Sequence, residues 1–232
     1  MRKVVLHILC FMFFGQYLFA QEYPLAVIVD GDGYVNVRNR ALNKIGRLSA
    51  GEIVFISDTN REWYNIEHSN GEDGDEILNG FIHKTRLLSV SSYMEIPPVS
   101  DSANEIVLQK DSIKVRLTGT KFVLGNRSIS KLPDSEVIEK IDDRPVWGED
   151  GGIPKTEYKS IEITIADKHL FLPKEAYLNT YNPALFNTKV YYDSNNKYLY
   201  ICSLNSDGAG GYLVLWLIQN GQYRRRYIYR GF

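Results

Sequence analysis

Apolar and polar residues alternate with a period of two through much of the first ninety residues, a pattern typical of β-strands. The clearest runs are YVNVR at 34–38, EIVFIS at 52–57, EWYNIEHS at 62–69 and GFIHKTRL at 80–87. Glycine-rich turns separate these runs, and the polar segment NGEDGDEILNG is an expected hairpin tip. Alternation also places Trp63 and Tyr64 on opposite faces of one strand. Five short strands with turns at this spacing predict a small β-barrel over residues 25–90.

The second half of the chain, residues 105–232, has the same period-two signal. Ile113, Val115 and Leu117 alternate with polar residues, and the closing segment contains strand-like runs separated by DSNN, SDGAGG and QNGQ. We expect a mostly antiparallel β domain of the α+β type. Two helical features are predicted within it: a short helix in SKLPDSEVIEKI at 130–141, and one helical turn in KEAYLNTYNP at 174–183.

Residues 91–104 differ in composition from both halves, being rich in serine and containing Pro97 and Pro98. Paired prolines favour an extended, polyproline-like conformation. We therefore predict a linker at 91–104 that separates two domains without fusing their cores. The length of 232 residues agrees with two domains, since one domain usually takes about 100–200 residues.

Composition excludes some classes of function. The formal net charge is −1, so no overall basic field would gather nucleic acid. Aromatic residues make up 12% of the chain, which favours strands and aromatic-lined clefts over a helical bundle.

The first twenty residues have the pattern of an export signal. Arg2 and Lys3 precede an apolar core, and we predict cleavage after Ala20. A retained anchor helix is the alternative, although the apolar run is shorter than the ~20 residues that a membrane span needs. Cys10 lies inside the apolar run without the small residues that a lipid-attachment site requires. We therefore expect an exported protein of the periplasm or cell envelope, with no membrane span after cleavage.

Four blocks in order, YVNVR, GRLSAGEIV, EWYNI and GFIHKTRL, resemble a bacterial SH3 domain. The resemblance implies a small β-barrel that holds cell-wall peptide and is seldom catalytic itself. It also implies ligand contacts from the side chains that fall within the matching blocks. These are Tyr34, Arg38, Trp63, Tyr64, Phe81 and His83. The alternative is structural, because a barrel of this size must bury several aromatic rings to fill its core.

One segment departs from the pattern of the family. Where bacterial SH3 domains usually have RSGPS, this chain has RNRALN, which introduces Asn39, Arg40 and Leu42. These larger residues are expected to alter one wall of the usual groove.

Cys202 and two acidic segments are the candidates for catalysis and metal binding in the sequence. Cys202 is the only thiol left after cleavage, but it lies in the strand-like run YLYICSLN and no histidine follows it, so we predict a buried, inert cysteine. The acidic segments at 30–33 and 72–76 lack the third ligand and the distant Glu of an EF-hand loop. We interpret both as solvated turns and expect neither a metal nor a cofactor.

In the second half, the segments NSDGAGGYLVLW, PVWGEDGGIP and NGQYRRRYIYRGF resemble domains of uncharacterised exported bacterial proteins, which implies no particular activity. A glycine-rich loop allows close backbone approach, so we consider it a candidate for contact with a partner. The residues are Asp207, Gly208, Gly210, Gly211 and Tyr212. A plain hairpin turn is the alternative. The nearby Arg224, Arg225, Arg226 and Arg230 could form a basic stripe or protect an edge strand.

Together these patterns predict a mainly β, exported, non-enzymatic protein whose SH3-like barrel contacts cell-wall peptide or an envelope protein. The alternative is an immunity-type or inhibitor protein, in which the C-terminal domain blocks a toxin or a wall hydrolase.

Overall fold

Antiparallel strands form almost all of the regular structure in a computed structural model of the chain. The model describes residues 24–59, 62–71, 74, 76–206 and 208–230. The predicted export signal at 1–20 lies outside these described residues. Within them, helical structure is confined to short 3-10 turns, and no helix has the length and apolar character needed to cross a membrane.

Seven strands form the N-terminal sheet, which curls into a half-barrel. The strands are β1 (Leu25–Ile28), β2 (Tyr34–Arg38), β3 (Lys44–Ser49), β4 (Ile53–Asp58), β5 (Trp63–Ser69), β6 (Ile77–His83) and β7 (Leu87–Ser89). Their order in the sheet is β3-β2-β6-β5-β4-β1-β7. Buried side chains on the concave face, among them Val35, Val37 and Ile66, form one core. The predicted alternation is confirmed in β2 and β5, because the valines of β2 and Ile66 of β5 are the buried members.

The rest of the chain adds three sheets. Their strands are β8 (Met94–Ile96), β9 (Pro98–Ser102), β10 (Glu105–Lys110), β11 (Ile113–Lys121), β12 (Ile129–Lys131), β13 (Ile138–Ile141), β14 (Arg144–Pro145), β15 (Thr156–Ile165), β16 (Lys168–Phe171), β17 (Thr188–Asp193), β18 (Tyr198–Asn205), β19 (Tyr212–Gln219) and β20 (Gln222–Arg230). The outer sheet has the order β16-β15-β11-β10-β9, the central sheet β20-β19-β18-β17-β8, and the small sheet β12-β13-β14.

The central sheet is covered on both faces. One face packs on the outer sheet, where Val214 and Trp216 meet Val115 and Ile161 in the largest hydrophobic cluster. The other face packs on the N-terminal sheet, and the residues of this second cluster come from both halves of the chain. They include Leu25, Ile53, Phe55, Cys202, Leu215, Tyr227 and Tyr229. The molecule is therefore layered as outer sheet, central sheet and half-barrel.

The predicted linker at 91–104 has a different structure from the expected spacer. Met94–Ile96 pairs with β17 in the central sheet, and Pro98–Ser102 pairs with β10 in the outer sheet. Ile96 is fully buried. The prolines are compatible with these strands because Pro98 begins an edge strand, where a missing N–H costs no ladder hydrogen bond. The expectation of separate cores is wrong, since the second cluster joins both halves of the chain.

The helix predicted at 130–141 is also wrong, because this segment forms the hairpin of β12 and β13. Asp134 has φ of 55°, which ends any helix at the Pro133–Asp134 turn. Ile138 and Ile141 are both buried, but by pairing and packing within the small sheet. The single helical turn expected within 174–183 is confirmed as a 3-10 turn at Lys174–Ala176.

Candidate functional site

The convex face of the N-terminal sheet carries a row of side chains that crosses three strands. Arg38 of β2 is paired with Phe81 of β6, and Phe81 is paired in turn with Asn65 of β5. Trp63 and His83 form the next pair on the same face of β5 and β6, two residues further along each strand. Alternation turns these residues outward because their strand neighbours Ile66 and Ile82 fill the core inside the half-barrel.

Trp63 contacts two neighbouring side chains, His83 and Arg38. The imidazole of His83 meets the indole edge to face, with ring centroids 5.3 Å apart and planes at 82°. The guanidinium of Arg38 lies 5.9 Å from the centroid of the indole ring, within the range of a cation–π contact. The ring remains half-buried. An aromatic side chain that is fixed and still accessible is suited to contact a ligand.

A groove with a volume of about 640 Å³ runs over this row. We call it the Trp63 groove. Trp63, Asn65 and Phe81 form its floor, Arg40 and Leu42 one wall, and Asp58 and Glu62 the other wall. The volume lies within the range of about 300–1,000 Å³ that is usual for ligand sites.

The first wall belongs to the β2–β3 connection. The carboxamide oxygen of Asn39 accepts hydrogen bonds from the N–H groups of Ala41 and Asn43, both at 3.0 Å. Arg38 donates from Nη1 to the carbonyl oxygen of Leu42 at 2.7 Å. Arg38 therefore links this loop to the indole of Trp63, and the loop has a defined shape without a ligand.

The second wall is acidic. Glu62 accepts a hydrogen bond from Lys84 Nζ at 2.9 Å, and His83 Nε2 lies 3.4 Å from its other carboxylate oxygen. The hydrogen bond from Lys84 lowers the pKa of Glu62 below its ordinary value, so this carboxylate stays ionised at neutral pH. The groove thus has an arginine on one wall and carboxylates on the other.

Four of the six residues implied by the family resemblance meet at this groove. Trp63 and Phe81 line it, while Arg38 and His83 flank Trp63. Tyr34 and Tyr64 lie elsewhere. Tyr34 is at the other end of β2, under the guanidinium of Arg47 at 3.9 Å, and Tyr64 turns inward against the core of the half-barrel.

Sequence reasoning did not assign Asp58, Glu62 or Asn65 to a site. For two of the three, the sequence contains a pattern that would have indicated a position beside Trp63. Asn65 shares the outward face of β5 with Trp63, and Glu62 directly precedes that strand. Asp58 reaches the groove only through the pairing of β4 with β5, where it lies opposite Asn65.

The glycine-rich loop of the C-terminal half packs against its own chain. A Cβ atom on Gly210 would lie 3.0–3.2 Å from backbone atoms of Glu149 and Asp150, so glycine permits this close approach. Gly208–Gly210 forms a 3-10 turn and Gly211 follows half-buried, whereas Asp207 lies outside the described residues. Tyr212 is a core residue instead of a contact for a partner, because it is fully buried and its hydroxyl donates to the carbonyl of Tyr181 at 3.0 Å.

The four arginines near the C-terminus do not form a single basic stripe. Arg226 is fully buried and donates from Nη2 to the side chain of Asn179 at 2.6 Å. Arg225 points to the N-terminal sheet, where it donates to the carbonyl oxygens of Ser69 and Asn70 at 3.1 Å. Arg230 lies over the ring of Trp147. Alternation along β20 therefore divides these cations between its two faces.

The remaining chemical candidates have structural roles. Cys202 is fully buried in β18, and burial raises the pKa of its thiol well above the ordinary value. Asp30 accepts a hydrogen bond from the N–H of Asp32 and pairs with Arg86 at 3.0 Å, which fixes the 30–33 turn. Among the residues that the structure describes, no three His, Cys, Asp or Glu side chains converge as metal ligands would.

Comparison of the chain with family models, with curated proteins and with solved structures gives no match. The function of the protein is therefore inferred from the geometry of the Trp63 groove.

Proposed function

We propose that the protein is a non-catalytic binding protein of the bacterial envelope, and that the Trp63 groove holds a short stretch of cell-wall peptide or of an envelope protein. The observation that carries the proposal is the placement of Trp63. Its indole contacts Arg38 and His83 and is accessible at the floor of a groove. The export signal expected at 1–20 and the resemblance to bacterial SH3 domains support the envelope location and the class of ligand.

The chemistry of the groove suits a peptide. Its floor offers two aromatic rings, on which apolar side chains and peptide planes pack well. Asn65, which is paired with Phe81, also lines the groove, and its amide can both donate and accept hydrogen bonds. Opposite charges on the two walls give a charged ligand one preferred orientation in the groove. The alternative role as an inhibitor depends on the glycine-rich loop, which has less support because Gly210 packs on its own chain.

The test is co-sedimentation of the purified chain with bacterial peptidoglycan sacculi. We expect wild type to sediment with sacculi and Trp63→Ala to lose binding by about ten-fold or more, because truncating a central aromatic typically removes much of the affinity. Phe171→Ala is the matched control, since this phenylalanine is also exposed but lies on β16 of the outer sheet. Absence of wild-type binding, or equal losses in both variants with the fold preserved, would contradict the proposal.

A further inference from the structure

The loop Asn39–Asn43, which forms one wall of the Trp63 groove, contains a residue in a strained backbone conformation. Leu42 has φ of 62°, in the left-handed region. Most non-glycine residues with positive φ in the described part of the chain are Asp or Asn, which tolerate this region, and Leu42 is the one with a branched apolar side chain. Glycine or asparagine would fit the turn with less strain.

Packing within the protein does not account for leucine at this position. The side chain is 45% exposed. Leu42 takes part in none of the four hydrophobic clusters that the described residues form. The chain therefore places an apolar side chain in water, on a strained backbone, at the edge of a groove whose floor is aromatic. Backbone strain of this kind is typically found at functional sites, where it positions a side chain for contact with a ligand.

The neighbouring Arg40 gives this wall a charge. Within the part of the chain that the structure describes, Arg40 makes no ion pair, whereas Arg38 is engaged with the carbonyl of Leu42. A guanidinium next to an apolar side chain is suited to a ligand that has a carboxylate beside an aliphatic group. The acidic wall at Asp58 would repel that carboxylate, so charge also favours one orientation of the ligand.

We propose that the loop Asn39–Asn43 selects the ligand of the groove: Leu42, with Trp63 and Phe81, takes an aliphatic side chain, and Arg40 pairs with an adjacent carboxylate. The occupant is thus an acidic peptide segment with a branched aliphatic residue next to the acid. This inference rests on the proposed function, because it assigns specificity within the same groove.

Synthetic peptides test the selection directly. The probes are four tetrapeptides, acetylated and amidated to remove terminal charges: Gly-Leu-Glu-Gly, Gly-Leu-Gln-Gly, Gly-Ala-Glu-Gly and Gly-Leu-Lys-Gly. Affinity is measured by calorimetric titration of the full chain. We expect Gly-Leu-Glu-Gly to bind most tightly. Replacing either Glu or Leu should lower the affinity five- to ten-fold, the size of effect expected when a single weak contact is lost.

Two variants test whether Arg40 and Leu42 cause the preference among the peptides. Arg40→Gln should abolish the preference for Glu over Gln, and Leu42→Asn should abolish the preference for Leu over Ala. Controls are Arg224→Gln, at an exposed arginine on β20, and Leu132→Asn, at a leucine that is 41% exposed in the connection between β12 and β13. Because asparagine tolerates positive φ, Leu42→Asn should leave the thermal midpoint unchanged or raised, which separates a ligand contact from a structural role.

The outcomes are distinct. A preference for the Leu-Glu peptide that disappears in the matching variants supports the inference. Peptides that bind through Trp63 with equal affinity, unaffected by Arg40→Gln and Leu42→Asn, overturn the inference and leave the proposed function standing. A lower thermal midpoint of Leu42→Asn with no change in peptide preference also overturns it. Failure of the sacculus assay, in contrast, bears on the proposed function itself.

Discussion

Gly148 occupies a position that only glycine can fill. Its φ is 97°, and a Cβ atom there would lie 2.1 Å from the carbonyl oxygen of Tyr181. This contact matters because the N–H of Tyr181 donates to the carbonyl oxygen of Trp147 at 2.8 Å, which joins the turn at Gly148 to a distant segment of the chain beside the buried Tyr212. Gly148 of PVWGEDGGIP therefore permits close backbone packing within the fold.

Substitution of Gly148 by alanine is expected to destabilise the protein by about 3 kcal/mol or more, since a steric clash is added to an unfavourable φ. Gly31→Ala is the control, because the structure places nothing within 4 Å of a Cβ at Gly31. That change should alter the free energy of unfolding by less than about 0.5 kcal/mol. Urea denaturation of both variants measures the difference, and similar midpoints would show that the turn can rearrange.

The sequence predicts that β5 has one inward and one outward face, but it predicts neither which face carries Trp63 nor the shape of the groove wall. Alternation alone requires that one of Trp63 and Tyr64 points outward, and the burial of Ile66 and His68 decides in favour of Trp63. The strained φ of Leu42 has no such signal, because leucine is a residue that a sequence pattern would never place in the left-handed region. Local periodicity indicates on which face of a strand a side chain lies, but it does not indicate the backbone conformation of a turn.

At the scale of elements, β18 and β19 are the strands that the period-two pattern describes least well. YLVLWLI is buried without interruption from Tyr212 to Ile218. A continuous apolar run of this length is typical of a strand that is covered on both faces. That signal was available in the sequence and would have predicted a central sheet between two layers, in place of two domains with separate cores.

The side chain of Leu215 packs between the central sheet and the half-barrel, so its truncation tests how firmly these two elements are packed. Leu215→Ala should lower the free energy of unfolding by about 2–5 kcal/mol, the usual range for a cavity in a core. Leu132→Ala, at an exposed leucine in the connection between β12 and β13, should lower the free energy of unfolding by less than about 1 kcal/mol. Chemical denaturation measures both. A small effect at Leu215 would mean that the half-barrel and the central sheet are not firmly packed.

The misassigned helix at 130–141 has a related cause. Val137, Ile138 and Ile141 have the spacing of one helical face, but three apolar residues in five positions fit a strand and a turn as well. Pairing with Ile129 and Lys131 across the hairpin decides the outcome, and such pairing partners are invisible to a local window.

At the scale of the whole molecule, polar contacts join the half-barrel to the central sheet beside their shared core. The carbonyl oxygen of Ile53 accepts a hydrogen bond from the hydroxyl of Tyr229 at 3.0 Å. His68, only 2% exposed, lies with Nδ1 3.0 Å from the same oxygen and with Nε2 3.0 Å from the carboxylate of Glu52. Arg225 of β20 lies 3.8 Å from that carboxylate. Glu52 therefore contacts both His68 of the half-barrel and Arg225 of the central sheet.

This arrangement makes stability depend on pH through Glu52. The hydrogen bond from His68 is the largest influence and lowers the pKa of Glu52, although burial opposes it. A carboxyl group whose pKa is lower in the folded state stabilises that state above its unfolded value, about 4.3, and the contribution is lost as pH falls through the folded value. At neutral pH, Glu52→Gln should thus be less stable than wild type by about 1–2 kcal/mol. This lies at the lower end of the roughly 1.5–3 kcal/mol for a hydrogen bond to a charged group, because the Glu52 side chain is 28% exposed.

The difference between wild type and Glu52→Gln should shrink as the pH is lowered from 7 to about 3, because wild-type Glu52 then becomes neutral as well. Thermal unfolding across that range measures it. Glu67→Gln is the control, since Glu67 precedes His68 in β5 and faces the opposite side of the strand. A difference that stays constant with pH would place the effect of Glu52 in packing instead of charge, and the contact between the two layers would then rest on the shared apolar core alone.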